Sequence, residues 1–228
     1  VYNFKDKESK DKIKELAKNL GLSEIEVAIL WNRNFRDEKE IKKFLTANLN
    51  DLYDTRLMKD AEKAADKIAE YVKSGKLIVN YSDYDADGWG CAITFPTLMK
   101  RAGGNVEVWI NDRSLGFGMS VEGVKLMLEK YPDVKLVVTS DNGIVAFEAV
   151  DYLNSLGIEV VITDHHEPDE SKKVPNAYAV VDPKQEDCGY PFKELCGAGI
   201  IFKLSMLIYH KLGLNPKDCY DMLDAVAL

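Results

Sequence analysis

The chain has 228 residues, of which 46% are hydrophobic and 30% charged. That balance belongs to a globular protein and excludes disordered and fibrous classes. A net charge of −8 excludes a broadly basic nucleic-acid surface and leaves room only for a local one. No apolar run reaches the length of a membrane span. The four cysteines, Cys91, Cys188, Cys196 and Cys219, form no C-x-x-C pair. With no signal peptide in view they read as reduced thiols of a cytoplasmic protein. The chain begins at Val1 without Met and closes on Ala225-Val226-Ala227-Leu228, so it reads as a piece of a longer protein.

Residues 1–73 are helical in pattern. Ile13, Leu16, Ala17 and Leu20 form an apolar stripe that Gly21 ends, and Ser23-x-x-Glu26 is a capping-box candidate. Asp37 is a cap for a third helix with Ile41 and Phe44 inward. A fourth helix is expected over Leu57–Lys73, with Met58, Ala61, Ala65, Ile68 and Val72 on its apolar face. The lysines at 10, 12, 14 and 18 read as a solvated face, or else as part of a nucleic-acid track.

From residue 75 the period changes. Strand-like runs cover 77–82, 106–110, 136–140, 159–163 and 178–181, with helical runs at about 89–101, 120–130 and 145–156 between them. Alternation of this kind implies an α/β fold, a Rossmann-like parallel sheet with helices on both faces, preceded by a helical N-terminal segment. Two further helices are expected at 197–212 and 216–227, the second opened by Asn215-Pro216. The expected division is a helical segment over 1–73, packed on a domain over 74–228.

Ligands of an open parallel sheet bind beyond the carboxyl ends of its strands. The first run is followed there by Asp83-Tyr84-Asp85-Ala86-Asp87-Gly88, the third by Asp141-Asn142-Gly143, and the fourth by Asp164-His165-His166. Crowded carboxylates raise one another's pKa unless a cation lies between them. An oxygen-rich set with one or two imidazoles suits Mn²⁺ or Mg²⁺, and the number of donors is enough for two ions. Zinc fits less well because no cysteine joins the set.

Each stretch has a plainer reading. Asp-x-Asp-x-Asp-Gly opens an EF-hand loop, but that loop needs a preceding helix and a glutamate at its twelfth position, which here is Thr94. Taken singly, the first stretch could be a solvated acidic turn, Asp141 a turn former, and the histidine pair a cap. His210, far along an amphipathic run, reads as structural. Trp89 reads as core at the start of its helix, or else as a surface on which a base stacks.

Together, Asp83–Gly88, Ser140-Asp141-Asn142-Gly143-Ile144 and Asp164-His165-His166 resemble the first three motifs of the DHH phosphoesterase family. The nearer likeness is to its RecJ branch of single-strand-specific DNA exonucleases. Phe44-Leu45, Leu52, Leu57-Met58, Ala64-Ala65 and Ile68 resemble the helical lead-in of that branch. Asn111-Asp112-Arg113 with Gly116-Phe117-Gly118 is similar to its Arg and Gly-Tyr-Gly segment. Asp182-Pro183, Tyr190-Pro191-Phe192 and Leu195–Gly199 are similar to the segment after its histidine pair.

The resemblance implies a metal-dependent exonuclease that degrades single-stranded DNA 5′→3′ in repair or recombination, with replication or repair proteins as further partners and no membrane. It implies that Asp83 and Asp85 hold one metal, Asp87 and His165 the other, and Asp141 bridges them. It also implies that His166 contacts the scissile phosphate, Asp164 orients the pair, and Arg113 contacts phosphate. Relatives that cut oligoribonucleotides, cyclic dinucleotides or pyrophosphate, and a non-catalytic Cdc45-like scaffold, are the alternatives. A fourth motif with a further ligating Asp is expected shortly after Leu223–Leu228, where this chain stops.

Overall fold

The computed structural model describes residues 7–169, 171 and 173–227; Leu228, the last residue of the expected lead to a fourth motif, lies outside them. The described residues up to Leu52 form one compact unit and those from Tyr53 onward another.

In the first unit α1 (Lys7–Leu20), α2 (Glu24–Asn32) and α3 (Glu38–Leu45) bury Ile13, Leu16, Ala17, Val27, Leu30 and Ile41. The capping box forms: the Ser23 hydroxyl accepts from the Glu26 amide at 3.2 Å and the Ser23 amide donates to the Glu26 carboxylate at 2.7 Å. Asp37 caps α3 through the Glu40 amide at 2.9 Å. Phe44 departs from expectation. It is half exposed, its ring 4.7 Å from that of Phe35.

The second unit holds α4 (Ala61–Ser74), β1 (Ile78–Ser82), α5 (Ala86–Arg101), β2 (Val106–Ile110), α6 (Val121–Lys130), β3 (Leu136–Ser140), α7 (Phe147–Ser155), β4 (Glu159–Thr163), β5 (Ala179–Val181), α8 (Gly197–Lys211) and α9 (Leu223–Val226). The strands form one parallel sheet in the order β2-β1-β3-β4-β5. Alternate strand residues feed two cores, because neighbouring side chains point to opposite faces. Ile78, Leu136, Val138 and Val161 pack with α4, α5 and α8; Val79, Val137, Val160 and Ile162 pack with α6 and α7. This is the expected α/β sheet covered on both faces.

Helix α4 belongs with the sheet, not with the three helices before it. Ala64, Ala65, Ile68 and Val72 are buried in the core that also holds Ile78 and Ile200. It starts at Ala61 rather than Leu57, because Asp60 takes a left-handed φ of 58° that a helix cannot continue. Trp89 is 52% exposed, which corrects the core reading. The buried face of α5 is the one carrying Cys91, Phe95, Leu98 and Met99. The run expected as one helix over 216–227 is a 3₁₀ stretch over Pro216–Met222 followed by the short α9. Among the described residues no helix is long and apolar enough to cross a membrane, and all four cysteines are free.

Candidate metal centre

The chain reverses direction across the sheet at β1, which pairs with β2 on one side and β3 on the other. A crevice opens beyond the carboxyl ends of strands at such a switch point. A cleft of 340 Å³ lies there, lined by Asp83, Asp141, Asp164 and His166 among others.

The loop after β1 is tightly built. Asp83 is buried, and its Oδ1 accepts from the Tyr84 amide at 2.7 Å. Burial, with Asp85 nearby, raises its pKa. Asp85 is exposed and serves as the N-cap of α5, accepting from the Gly88 amide at 2.9 Å. The Ser82 hydroxyl donates to the Gly88 carbonyl at 2.6 Å. A Cβ on Gly88 would stand 2.3 Å from the Asp83 carbonyl oxygen. That oxygen cannot retreat without moving Asp83. Gly88→Ala is therefore expected to cost roughly 3 kcal/mol, read as a lowered urea midpoint at unchanged slope.

Asp87, in the first turn of α5, accepts from the Gly197 and Ala198 amides, both at 2.7 Å. These are the free N–H groups at the start of α8, whose partial positive charge suits a carboxylate. They hold Asp87 toward His165, whose Nε2 is 3.5 Å away.

Asp141 takes a φ of 63°, a left-handed conformation that non-glycine residues seldom adopt and that gathers at functional sites. Its turn is fixed from three strands. The Asp141 amide donates to the Thr163 carbonyl at 3.1 Å, Thr139 Oγ1 to the Asn142 carbonyl at 2.7 Å, and Asn142 Nδ2 to the Tyr81 carbonyl at 3.1 Å. Asp141 is 1% exposed, and neither carboxylate oxygen accepts a hydrogen bond. His165 Nε2 stands 3.0 Å from Oδ1 as an ion-pair neighbour without hydrogen-bond alignment. Burial pushes the Asp141 carboxyl up to about 6 against the pull of His165. The contact with Asp141 in turn raises the His165 imidazole. Gly197 makes room here, since a Cβ on it would meet Asp141 at 2.8 Å.

Asp164 is an organising carboxylate. Oδ2 accepts from the Ile144 amide at 2.8 Å; Oδ1 accepts from the His165 and His166 amides and pairs with His166 Nδ1 at 2.7 Å. Burial pushes it up, but the hydrogen bonds from His166 and Ile144 outweigh burial and its pKa is lowered. The same contact lifts the His166 imidazole to about 9.

The structure thus brings Asp87, Asp141 and His165 into contact, with Asp83 and His166 on the same rim. Asp141, His165 and His166 offer ligand atoms that all lie within 4.8 Å of one another. The Asp85 carboxylate is engaged by the helix cap. Arg113 does not line the cleft; its guanidinium lies 5.8 Å from the Tyr84 ring centre, and Tyr84 in turn lies 5.3 Å from the ring of Phe117, a residue 81% exposed that does line it. His210 is exposed in the last turn of α8. Sequence reasoning missed the Gly197 and Ala198 amides, though the small-residue run Gly197-Ala198-Gly199 was a signal for close approach. Asp182, read from the sequence only as part of the segment after the histidine pair, is fully buried beyond β5, and burial raises its carboxyl to about 7.

A parallel sheet whose switch point carries acidic loops and a His-His pair defines the class, and the DHH family, N-terminal domain, matches residues 77–228: the chain belongs to the DHH family. Within it, the chain is similar to RecJ. It is 34% identical over 213 residues to the single-stranded-DNA-specific exonuclease RecJ of Bacillus subtilis, covering 93% of this chain and 26% of that one. It superposes on RecJ of Thermus thermophilus in complex with Mn²⁺ with a TM-score of 0.71 at 28% identity, covering 95% of this chain and 29% of that one. On an exonuclease RecJ bound to manganese the TM-score is 0.66 at 30% identity, covering 75% and 42%. The chain spans 26–34% of the length of RecJ from B. subtilis and Haemophilus influenzae.

Proposed function

We propose that this chain is the catalytic part of a divalent-metal-dependent phosphodiesterase of RecJ type, removing nucleotides 5′→3′ from single-stranded DNA in repair or recombination. The observation that carries the reading is Asp141: a buried carboxylate whose oxygens accept no hydrogen bond, held in a strained backbone conformation with the His165 imidazole 3.0 Å away as its ion-pair neighbour. A carboxylate desolvated this way is stable as an anion only beside a cation. The donors fit Mn²⁺ or Mg²⁺, being mostly carboxylate oxygens with imidazole. Asp83, Asp87, Asp141 and His165 would hold two ions, with Asp85 joining where it is released from the helix cap. Such ions lower the pKa of water and offset charge on phosphate oxygens when bound.

The chain's own groups supply the rest. The α8 amides hold the Asp87 carboxylate in one orientation. Asp164 fixes the His166 ring through Nδ1, which leaves Nε2 for a ligand in the cleft. In the metal-free protein the Asp164 contact lifts the His166 pKa to about 9, and the ring is placed to meet a phosphate oxygen through Nε2. Arg113 would fork onto a neighbouring phosphate. The exposed Phe117 ring beside Tyr84 supports a single-stranded substrate, because unpaired bases present faces that stack on aromatic side chains.

The test is hydrolysis in Mn²⁺ of 5′-phosphorylated single-stranded DNA against duplex, short RNA, a cyclic dinucleotide and pyrophosphate. Stepwise mononucleotide release from the single strand, stopped by EDTA and restored by Mn²⁺, is the expected result. Preference for another phosphoester would replace the substrate, and binding of DNA without cutting would place the chain among non-catalytic relatives.

A further inference from the structure

Phe117 has no burial to keep it in place. Its ring is 81% exposed, and it is flanked by Gly116 and Gly118 with φ of 84° and 71°, conformations other residues resist. A loop built this way would sample many positions unless something fixes it. Asn111, just past β2 and 2% exposed, does so. Its Nδ2 donates to the Gly116 carbonyl at 3.2 Å and to the Gly118 carbonyl at 3.0 Å, gripping the chain on both sides of Phe117. Its Oδ1 accepts from the Tyr81 hydroxyl at 2.9 Å. Tyr81 is fully buried in β1, two residues before Asp83. The strand that delivers Asp83 is therefore tied through one amide to the loop that presents Phe117. Only a primary amide has two donors and an acceptor in this layout; a carboxylate would face two carbonyls with no hydrogen to share.

We infer that Asn111 is a positioning residue: it sets the Phe117 ring on the wall of the metal cleft as a stacking platform for a base of the single strand. Phe117 and Gly118 line the same cleft as Asp83, Asp141 and His166, so a base on that ring is one whose phosphate lies at the metal centre. This inference rests on the single-strand reading above.

The experiment compares a natural single strand with one carrying an abasic residue at each of the three 5′-terminal positions in turn, in Mn²⁺. Binding of a 2-aminopurine strand is followed by fluorescence in parallel. The wild type is expected to show a KM about 10-fold higher for one of the abasic strands, and to quench the 2-aminopurine placed there. Phe117→Ala removes both effects. Asn111→Leu, isosteric but without hydrogen bonds, raises KM for the natural strand to the abasic value, with the loss on KM rather than kcat. Tyr81→Phe, which deletes only the hydroxyl, has a smaller effect of the same kind and serves if Asn111→Leu fails to fold.

A merely structural Asn111 would lower the melting temperature and leave the natural-to-abasic ratio unchanged, which overturns the inference. So does a wild type that cuts or binds both strands equally well. A wild type that neither cuts nor binds single strands, while turning over another phosphoester, removes the substrate reading itself and this inference with it.

Discussion

Asp141→Asn is expected to lower turnover more than ~100-fold, beyond the loss seen when only the partner of a metal ligand is removed. The same variant is expected to be more stable than the wild type without metal. The Asp141 carboxyl has an ordinary value of 3.8 and is pushed up to about 6 by burial. In the unfolded chain it ionises from 3.8 upward, and in the folded chain only from about 6. Metal-free stability therefore falls as pH rises through that window and stays low above it. Asparagine has no proton to lose there. At pH 8 in EDTA the variant should melt above the wild type, by up to about 3 kcal/mol. Mn²⁺ then stabilises the wild type by about 2.7 kcal/mol at a hundredfold excess over Kd and the variant far less. Scanning calorimetry with and without Mn²⁺ reads both. A variant that melts below the wild type in EDTA would contradict the account of Asp141 as a carboxylate kept for a cation.

Asp164→Ala is expected to cost about 1–3 kcal/mol, the cost of leaving buried donors without an acceptor; the ion pair itself adds little, because the His166 side chain is 55% exposed. The variant strips acceptors from the Ile144, His165 and His166 amides at once, on a carboxylate that is 1% exposed. The pH dependence has a definite sign at each end. The His166 pKa is raised from 6.5 to about 9, so its contribution is complete below 6.5 and is lost as pH rises through about 9. The Asp164 pKa is lowered from 3.8, so its contribution is complete above 3.8 and is lost as pH falls through the lowered value. The wild type gains from the pair in full between these limits, and Asp164→Ala should flatten the profile. A metal-free NMR titration should place the His166 ring near 9 in the wild type and back near its ordinary value in Asp164→Asn. An unchanged His166 titration in that variant would show that the Nδ1 contact does not set its charge.

The parallel sheet and its rim are legible in the amino-acid sequence. Five short β-branched runs, each closed by a turn or a helical pattern, have a local signature of two-residue alternation or continuous burial, and all five are strands. That three of them end in Asp or Asp-His-His followed from chain order, because a parallel sheet carries every carboxyl end to one edge. The capping box at Ser23 and the cap at Asp37 were legible for a similar reason: each is a contact between residues three apart.

What the linear pattern did not carry depends on which face meets which neighbour. Trp89 looks like core by hydrophobicity, yet it lies on the face of α5 turned away from the core; Phe44, one turn after the buried Ile41, is left half exposed near the end of the short α3, with Phe35 against its ring. Helix α4 has the same amphipathic pattern as α1, and only its packing against the sheet assigns it to the second unit. Asp83, Asp85 and Asp87 are equivalent as letters. Their environments separate them: the first is buried at the strand end, the second spent on a helix cap, and the third is gripped by amides 110 and 111 residues downstream. The amino-acid sequence by itself determined the elements and the chemistry at their ends, since propensity, capping and periodicity act over a few residues. Only the tertiary structure decided which carboxylate is left without a hydrogen bond, because desolvation and pairing are set by groups brought together from distant parts of the chain.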